Sequence, residues 1–345
     1  MRALMSSFVA LVMVATTTAA MAGDVWYEDN NLGKAGGVPA DFVEKFSRPD
    51  TFKQASRYID VYMVRANILS VLDDQFLTTQ FIPYLRQHHI RLAMDAGGAN
   101  WAQMRGREKL DDNDFALLRR LKGLGMEVDY ISLQSILSKP LKVGGQTSDY
   151  PMSKRIEDVV AYAKVVRTIY PQIQIGIIDA LPSHGKYYRQ PYRLLRDALA
   201  REAIPLSYIH LDMPFELPKE HRLGITWQKV REVERYVEED LGLKFGFFTT
   251  SREGGLTSSK AFHERVMASL QCYAGADGTP ADFIIASWFP HPQETIPDTA
   301  MGDDYPAMRT VLEFGRQLER IEKQGPGFSA HGASQSRWRG LCTTE

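Results

Sequence analysis

The chain has 345 residues, of which 44% are hydrophobic and 24% charged, with a formal net charge of -1. That balance fits a globular protein of one large or two small domains and gives no basic surface of the kind nucleic acid selects. The sequence has neither a GxxxxGK[ST] phosphate loop nor a GxSxG nucleophile elbow, so nothing in it points to an NTPase or a serine hydrolase.

In chain order, residues 1–22 read as a secretory leader. Arg2 precedes an apolar stretch from Phe8 to Ala15, and the segment ends in Ala20-Met21-Ala22, the pattern of a signal cleaved after Ala22. The alternative is an uncleaved anchor, but the apolar part is short for a bilayer span. The expectation is a secreted or periplasmic protein with no stable membrane insertion once the leader is removed. Residues 23–54 follow as an irregular arm with a short helix near its end.

From there apolar, branched segments recur at strand-plus-helix spacing. They are "YIDVYMVR" (58–65), "IRLAMDAGG" (90–98), "MEVDYISLQS" (126–135), "IQIGIIDALP" (173–182), "LSYIHLDMP" (206–214), "LKFGFFTTS" (243–251) and "DFIIASWFP" (282–290). Helical patterns fill the gaps. One carries Phe76, Phe81, Ile82 and Leu85, others stop at Gly123, Pro171 and Pro205, and another aligns Val230, Val233 and Val237.

Seven strands alternating with helices over 55–323 predict one α/β domain, a (β/α)8-type TIM barrel with a degenerate or missing strand. The eighth strand is placed near Trp26 or in a long loop; a seven-stranded variant and a doubly wound open sheet are the alternatives. The tail, 324–345, is small and polar and reads as flexible. The only two cysteines are Cys272, in a helical pattern, and Cys342, near the C-terminal end. They either clip the tail down or stay as thiols.

In such a barrel the strand C-termini build the site. Asp95, Gln134, Asp179, Asp212 and Arg65 close or follow strands, with His184, His210, Glu253, Trp101 and Trp288 close by. Carboxylates, amides and tryptophans at one mouth suit a carbohydrate partner, because rings stack on aromatic faces and hydroxyls pair with polar groups. Two carboxyls flanking a glycosidic bond can hydrolyse it.

Asp179 is the leading acid, with Asp212 or Glu253 as nucleophile or base. Asp95, Trp101, Gln134, His184, His210, Trp288 and Arg65 are the substrate-binding set. Glu216 and Glu294 read as solvated loop acids. No cofactor is called for. Nor is a metal, because His210 and Asp212 are taken to point to opposite sides of their strand and no HExxH pair occurs. A non-catalytic carbohydrate-binding or polysaccharide-biosynthesis accessory barrel, and a metal-dependent barrel hydrolase, remain as alternatives.

"IGIIDALP", "IHLDMPF", "FGFFTTS" and "DFIIASWFPHPQETIPD" resemble the strand ends of secreted bacterial TIM-barrel proteins related to glycoside hydrolases of the large retaining clan. The resemblance spans roughly residues 55–320 and implies a barrel that acts on glycans. There are two departures. That clan ends its fourth strand in Asn-Glu where Asp179 follows Ile178 here, and its nucleophile Glu has no counterpart beyond the loop residues Glu253 and Glu294. The resemblance therefore leaves retention, inversion and binding without cleavage open.

Overall fold

The computed structural model describes residues 23–29, 41–98, 112–137, 141–143, 146–148, 151–181, 187–323 and 341–342. The leader, nearly all of the tail, Trp101 and His184 lie outside the described residues.

Eight parallel strands close into a barrel: β1 (Asp24–Asp29), β2 (Val61–Arg65), β3 (Arg91–Ala96), β4 (Tyr130–Gln134), β5 (Gln174–Asp179), β6 (Leu206–Leu211), β7 (Lys244–Thr249) and β8 (Asp282–Ala286). Each strand pairs with the next in sequence, and β1 pairs with both β2 and β8, in registers such as Trp26↔Val61 and Asp24↔Asp282. Of the two places expected for the eighth strand, near Trp26 or in a long loop, it takes the one around Trp26. The barrel thus takes in the start of the segment expected to be an arm, and the helix Phe42–Ser47 follows β1 as part of the outer layer. An antiparallel hairpin, Leu141–Val143 with Gln146–Ser148, stands apart from the barrel sheet and was not anticipated. No helix among the described residues is long and apolar enough to cross a membrane.

Every barrel strand is buried on both faces, which is why these segments read as unbroken apolar runs. The residues divide into two cores. Trp26, Val61, Met63, Ala93, Tyr130, Ile178, Tyr208, Phe248, Ile284 and Ala286 fill the interior. A larger cluster, with Tyr27, Tyr62, Ile175, Ile177 and Leu211 among its members, packs between strands and helices. Gly176 marks the tightest interior approach: a Cβ there would lie 2.1 Å from Cε2 of Tyr208.

The interior also holds a polar group. The Asp282 carboxylate accepts from Trp26 Nε1 at 3.1 Å and lies 3.0 Å from His210 Nε2.

Two buried devices pin the outer layer to the sheet. Lys45 pairs with Asp29, which also accepts from Tyr62 Oη at 2.6 Å. The same ammonium sits 5.3–5.6 Å from the ring centroids of Tyr27, Phe42, Phe46 and Tyr62, so charge pairing and cation–π contact together offset its burial. Asp298, in the loop after β8, accepts from the backbone N–H of Gln54 (2.8 Å) and Ala55 (2.9 Å), tying the first βα connection to the last. Cys272 and Cys342 are disulfide-bonded across 70 residues, which brings that part of the tail onto the helix Ser259–Ala274.

Candidate active site at the barrel mouth

Strand alternation decides which end residues face the mouth. In β2, β3 and β4 the interior positions Met63, Ala93 and Tyr130 put Arg65, Asp95 and Gln134 on the inner side, two or four residues further along. In β1, Trp26 puts Glu28 there as well. Beyond β6, Asp212 continues the inner row of Tyr208 and His210, and beyond β7, Thr250 continues that of Phe248.

Glu28, Asp95 and Asp212 gather around Arg65. Its Nε lies 3.2 Å from Asp95 Oδ2 and 3.8 Å from Glu28 Oε1. Glu28 is 3% exposed and Asp95 5%. Burial, reinforced by the neighbouring Asp95, drives the Glu28 carboxyl well above its ordinary range, against the pull of Arg65. Burial raises Asp95 too, while the charge and hydrogen bond of Arg65 hold it back. Asp212 is pushed up to about 6, first by burial and then by the charges of Asp179 and Asp95.

A cleft of about 720 Å³ opens beside this group, lined among others by Arg65, Asn67, Asp95, Asn113, Arg120 and Gln134. Three buried polar atoms on the inner rows have no hydrogen-bond partner among the described residues: Asp95 Oδ1, Thr250 Oγ1 and His210 Nδ1. On the other side of the mouth Trp288 is half-buried. It packs against the interior core and meets the Phe248 ring edge-on with centroids 5.8 Å apart.

Several expectations change at this level. Asp179 pairs in register with Leu211, a residue of the outer core, so its side chain faces the helices rather than the mouth. It is fully buried and accepts from Tyr192 Oη at 3.2 Å. Asp179 and Asp212 therefore lie on opposite sides of the barrel wall, although the charge of one is felt by the other.

Glu253 is half-buried on the short helix Arg252–Thr257, and its carboxylate is engaged by Arg222 at 3.0 Å and Arg265 at 3.6 Å. Glu216, expected in solvent, is 3% exposed and caps that helix, accepting from Ser251 Oγ and from the backbone N–H of Arg252 and Glu253. Glu294 is exposed, as expected.

His210 and Asp212 share the inner side of their strand, contrary to the expectation, because residues two apart point the same way. His210 lies beneath the mouth, held by Asp282 and packed on Trp26 and Tyr208 with centroids 4.7 and 4.5 Å away. Among the described residues no three His, Cys, Asp or Glu side chains form a set that could hold a metal ion.

Sequence reasoning missed Glu28. Its signal was an acid directly after the apolar run 25–27, as Asp95 follows the apolar run of its own strand.

No protein-family model matches the chain, and a search of curated proteins gives no match. Solved structures match in fold. The catalytic core of a xylanase A aligns with TM-score 0.52 and 11% identity, covering 86% of this chain and 98% of its own. A thermostable mutant of a xylanase from Cellvibrio japonicus gives 0.51 and 12%, covering 87% and 98%. A mutant xylanase A of P. fluorescens subsp. cellulosa, in complex with xylopentaose, gives 0.50 and 11%, covering 85% and 97%. The shared feature is the closed (β/α)8 barrel, on which those chains are glycoside hydrolases.

Proposed function

We propose that the protein is an exported glycoside hydrolase whose working carboxyls are Asp212, Asp95 and Glu28. The observation that carries this reading is three inward carboxyls around a single guanidinium, at the mouth of a fold whose solved neighbours include xylanases. Their surroundings differ enough to divide the work of an acid and a base. Asp212, with its pKa near 6, keeps a share of its proton close to neutrality and donates it to the leaving glycosidic oxygen. Asp95, bonded to Arg65, is the member best held as a carboxylate. It attacks the anomeric carbon or takes a proton from water. Glu28, nearly dry, stays neutral and donates a hydrogen bond. Trp288 offers a face for a sugar ring. The leader pattern of residues 1–22 and the Cys272–Cys342 bond both suit an oxidising compartment outside the cytoplasm.

The test is release of reducing ends from a polysaccharide panel by the purified protein, followed by the anomer formed. Retention is expected if the two carboxyls work about 5–5.5 Å apart, and inversion at roughly 6.5–9.5 Å. Asp212→Asn and Asp95→Asn should each lower turnover by at least about a hundredfold, the low end of acid–base contributions. Full activity in either variant refutes the assignment. Tight sugar binding with no cleavage of any polymer would instead favour the non-catalytic reading, whose support is the absence of an Asn-Glu pair at the end of β4 or β5.

A further inference from the structure

Glu216 is a buried acid that the chemistry proposed above leaves without a task. Its place follows from strand pairing. β6 and β7 stay in register past their ends, with Pro214 bridged to Thr250 and the Phe215 N–H donating to the Thr250 carbonyl at 2.8 Å. That brings the Glu216 carboxylate to the start of the helix Arg252–Thr257. It accepts from Ser251 Oγ and from the backbone N–H of Arg252 and Glu253, both at 3.2 Å, and Arg265 Nε lies 3.8 Å away. Ser251 Oγ in turn accepts from the Gly254 N–H at 2.8 Å. Burying a carboxylate is costly unless donors meet it, so this set specifies where the helix sits.

The same helix meets the segment after β8. The Gly255 carbonyl accepts from the His291 N–H at 3.0 Å, and a Cβ on Gly255 would lie 2.6 Å from Cβ of Phe289. Phe289 packs on Trp288 with ring centroids 5.5 Å apart, and Trp288 also meets Phe248 at 5.8 Å. Ser287 Oγ donates to the His291 carbonyl at 2.6 Å and closes the turn that carries the tryptophan. A continuous line of contacts therefore runs from Glu216, through Ser251 and Gly255, to Phe289 and Trp288.

We propose that Glu216 is a positioning residue that sets the orientation of Trp288, and with it the binding of the sugar ring that stacks there, without touching substrate itself. This rests on the reading of Trp288 as a platform in a glycan-cleaving mouth. Gly255 serves the same arrangement from its other end, because only a residue without a side chain lets the helix and Phe289 come this close. Two dissimilar changes should therefore end in one defect. Glu216→Gln sets an amide N–H among donors that need an acceptor, and Gly255→Ala drives a methyl group against Phe289.

The experiment labels the protein with 5-fluorotryptophan and follows its fluorine NMR spectrum, the Trp288 resonance being the one lost in Trp288→Phe. Both variants should shift or broaden that resonance and leave that of Trp26, in the barrel interior, in place. Glu234→Gln is the control. It removes an acid just as buried that holds Tyr273 and Thr279 instead, and it should lower stability without moving the Trp288 resonance. On soluble xylan, or on whichever polymer of the panel the parent cuts, Glu216→Gln and Gly255→Ala should each raise KM at least about tenfold and keep kcat within about twofold.

A Trp288 resonance unmoved in either folded variant overturns the proposal, and so does a fall in kcat at unchanged KM. If Glu216→Gln does not fold, Gly255→Ala decides alone. A parent that leaves the whole panel uncut sinks the hydrolase reading, and the resonance then decides the positioning claim by itself. A parent that cuts glycan while both variants keep its spectrum and its KM does the reverse.

Discussion

Replacing Asp212 with Asn should make the protein more stable at neutral pH while stopping turnover. Asn has nearly the same shape and cannot ionise. In the folded chain Asp212 moves from an ordinary 3.8 to about 6, through burial first and then through the charges of Asp179 and Asp95. One pKa unit corresponds to about 1.4 kcal/mol. A rise of roughly two units therefore costs about 3 kcal/mol at neutral pH, which partial solvent access at the mouth reduces to about 2 kcal/mol. The sign follows from where the proton sits. Between about pH 4 and 6 the folded protein keeps a proton that the unfolded chain has lost. The stability this confers is whole below about pH 4 and is lost as pH rises through about 6. Denaturant unfolding curves of the two proteins across this range should nearly superpose in acid and separate above it, with the variant ahead. Parallel pH profiles, or a variant less stable than the parent at neutral pH, would refute the claim that Asp212 is held against its own ionisation.

Three further outcomes can be measured. Asp179→Asn should keep turnover but shift the alkaline limb of the pH–rate profile to lower pH, because the charge of Asp179 helps raise Asp212; complete loss of activity would return Asp179 to the reacting centre. Lys45→Ala strands the buried Asp29 carboxylate without its cation and should cost about 3–5 kcal/mol in denaturant unfolding, against well under 1 kcal/mol if the pair contributes nothing. Cys272→Ser opens a 70-residue linkage and should lower stability by about 2–4 kcal/mol; intact-mass analysis of the parent with and without reductant checks that the bond is present.

The barrel was legible because seven of its strands are buried on both faces and so stand out as dense branched runs. β1 escaped because only Val25, Trp26 and Tyr27 in it are apolar, with acids on either side. The same double burial that made strands easy to find hid their phase. In "QIGIID" both faces are apolar, so nothing in hydrophobic patterning tells Ile178 from Ile177, and Asp179 was assigned to the wrong side of the wall. Gly176 was the available marker, since a glycine inside an apolar strand signals close approach by a bulky neighbour, here Tyr208. In β2, β3 and β4 the end residues Arg65, Asp95 and Gln134 are the polar members of rows that also hold Met63, Ala93 and Tyr130, which puts them on the inner side of the wall. Glu216 was misplaced for a different reason: its hydrogen-bond partners are some 35 residues away, beyond the reach of local composition.

The seam between β1 and β8 has a consequence for how the molecule is assembled. Trp26 and Asp282 are hydrogen-bonded although 256 positions separate them along the chain. A growing polypeptide that has produced seven staves has no way to shut the ring, and its first stave keeps one edge bare until the last arrives. Completion is thus among the longest-range encounters of the described residues, an entropic toll that falls on a late event. Shortened chains ending before residue 282 should show a sticky sheet margin rather than a smaller barrel.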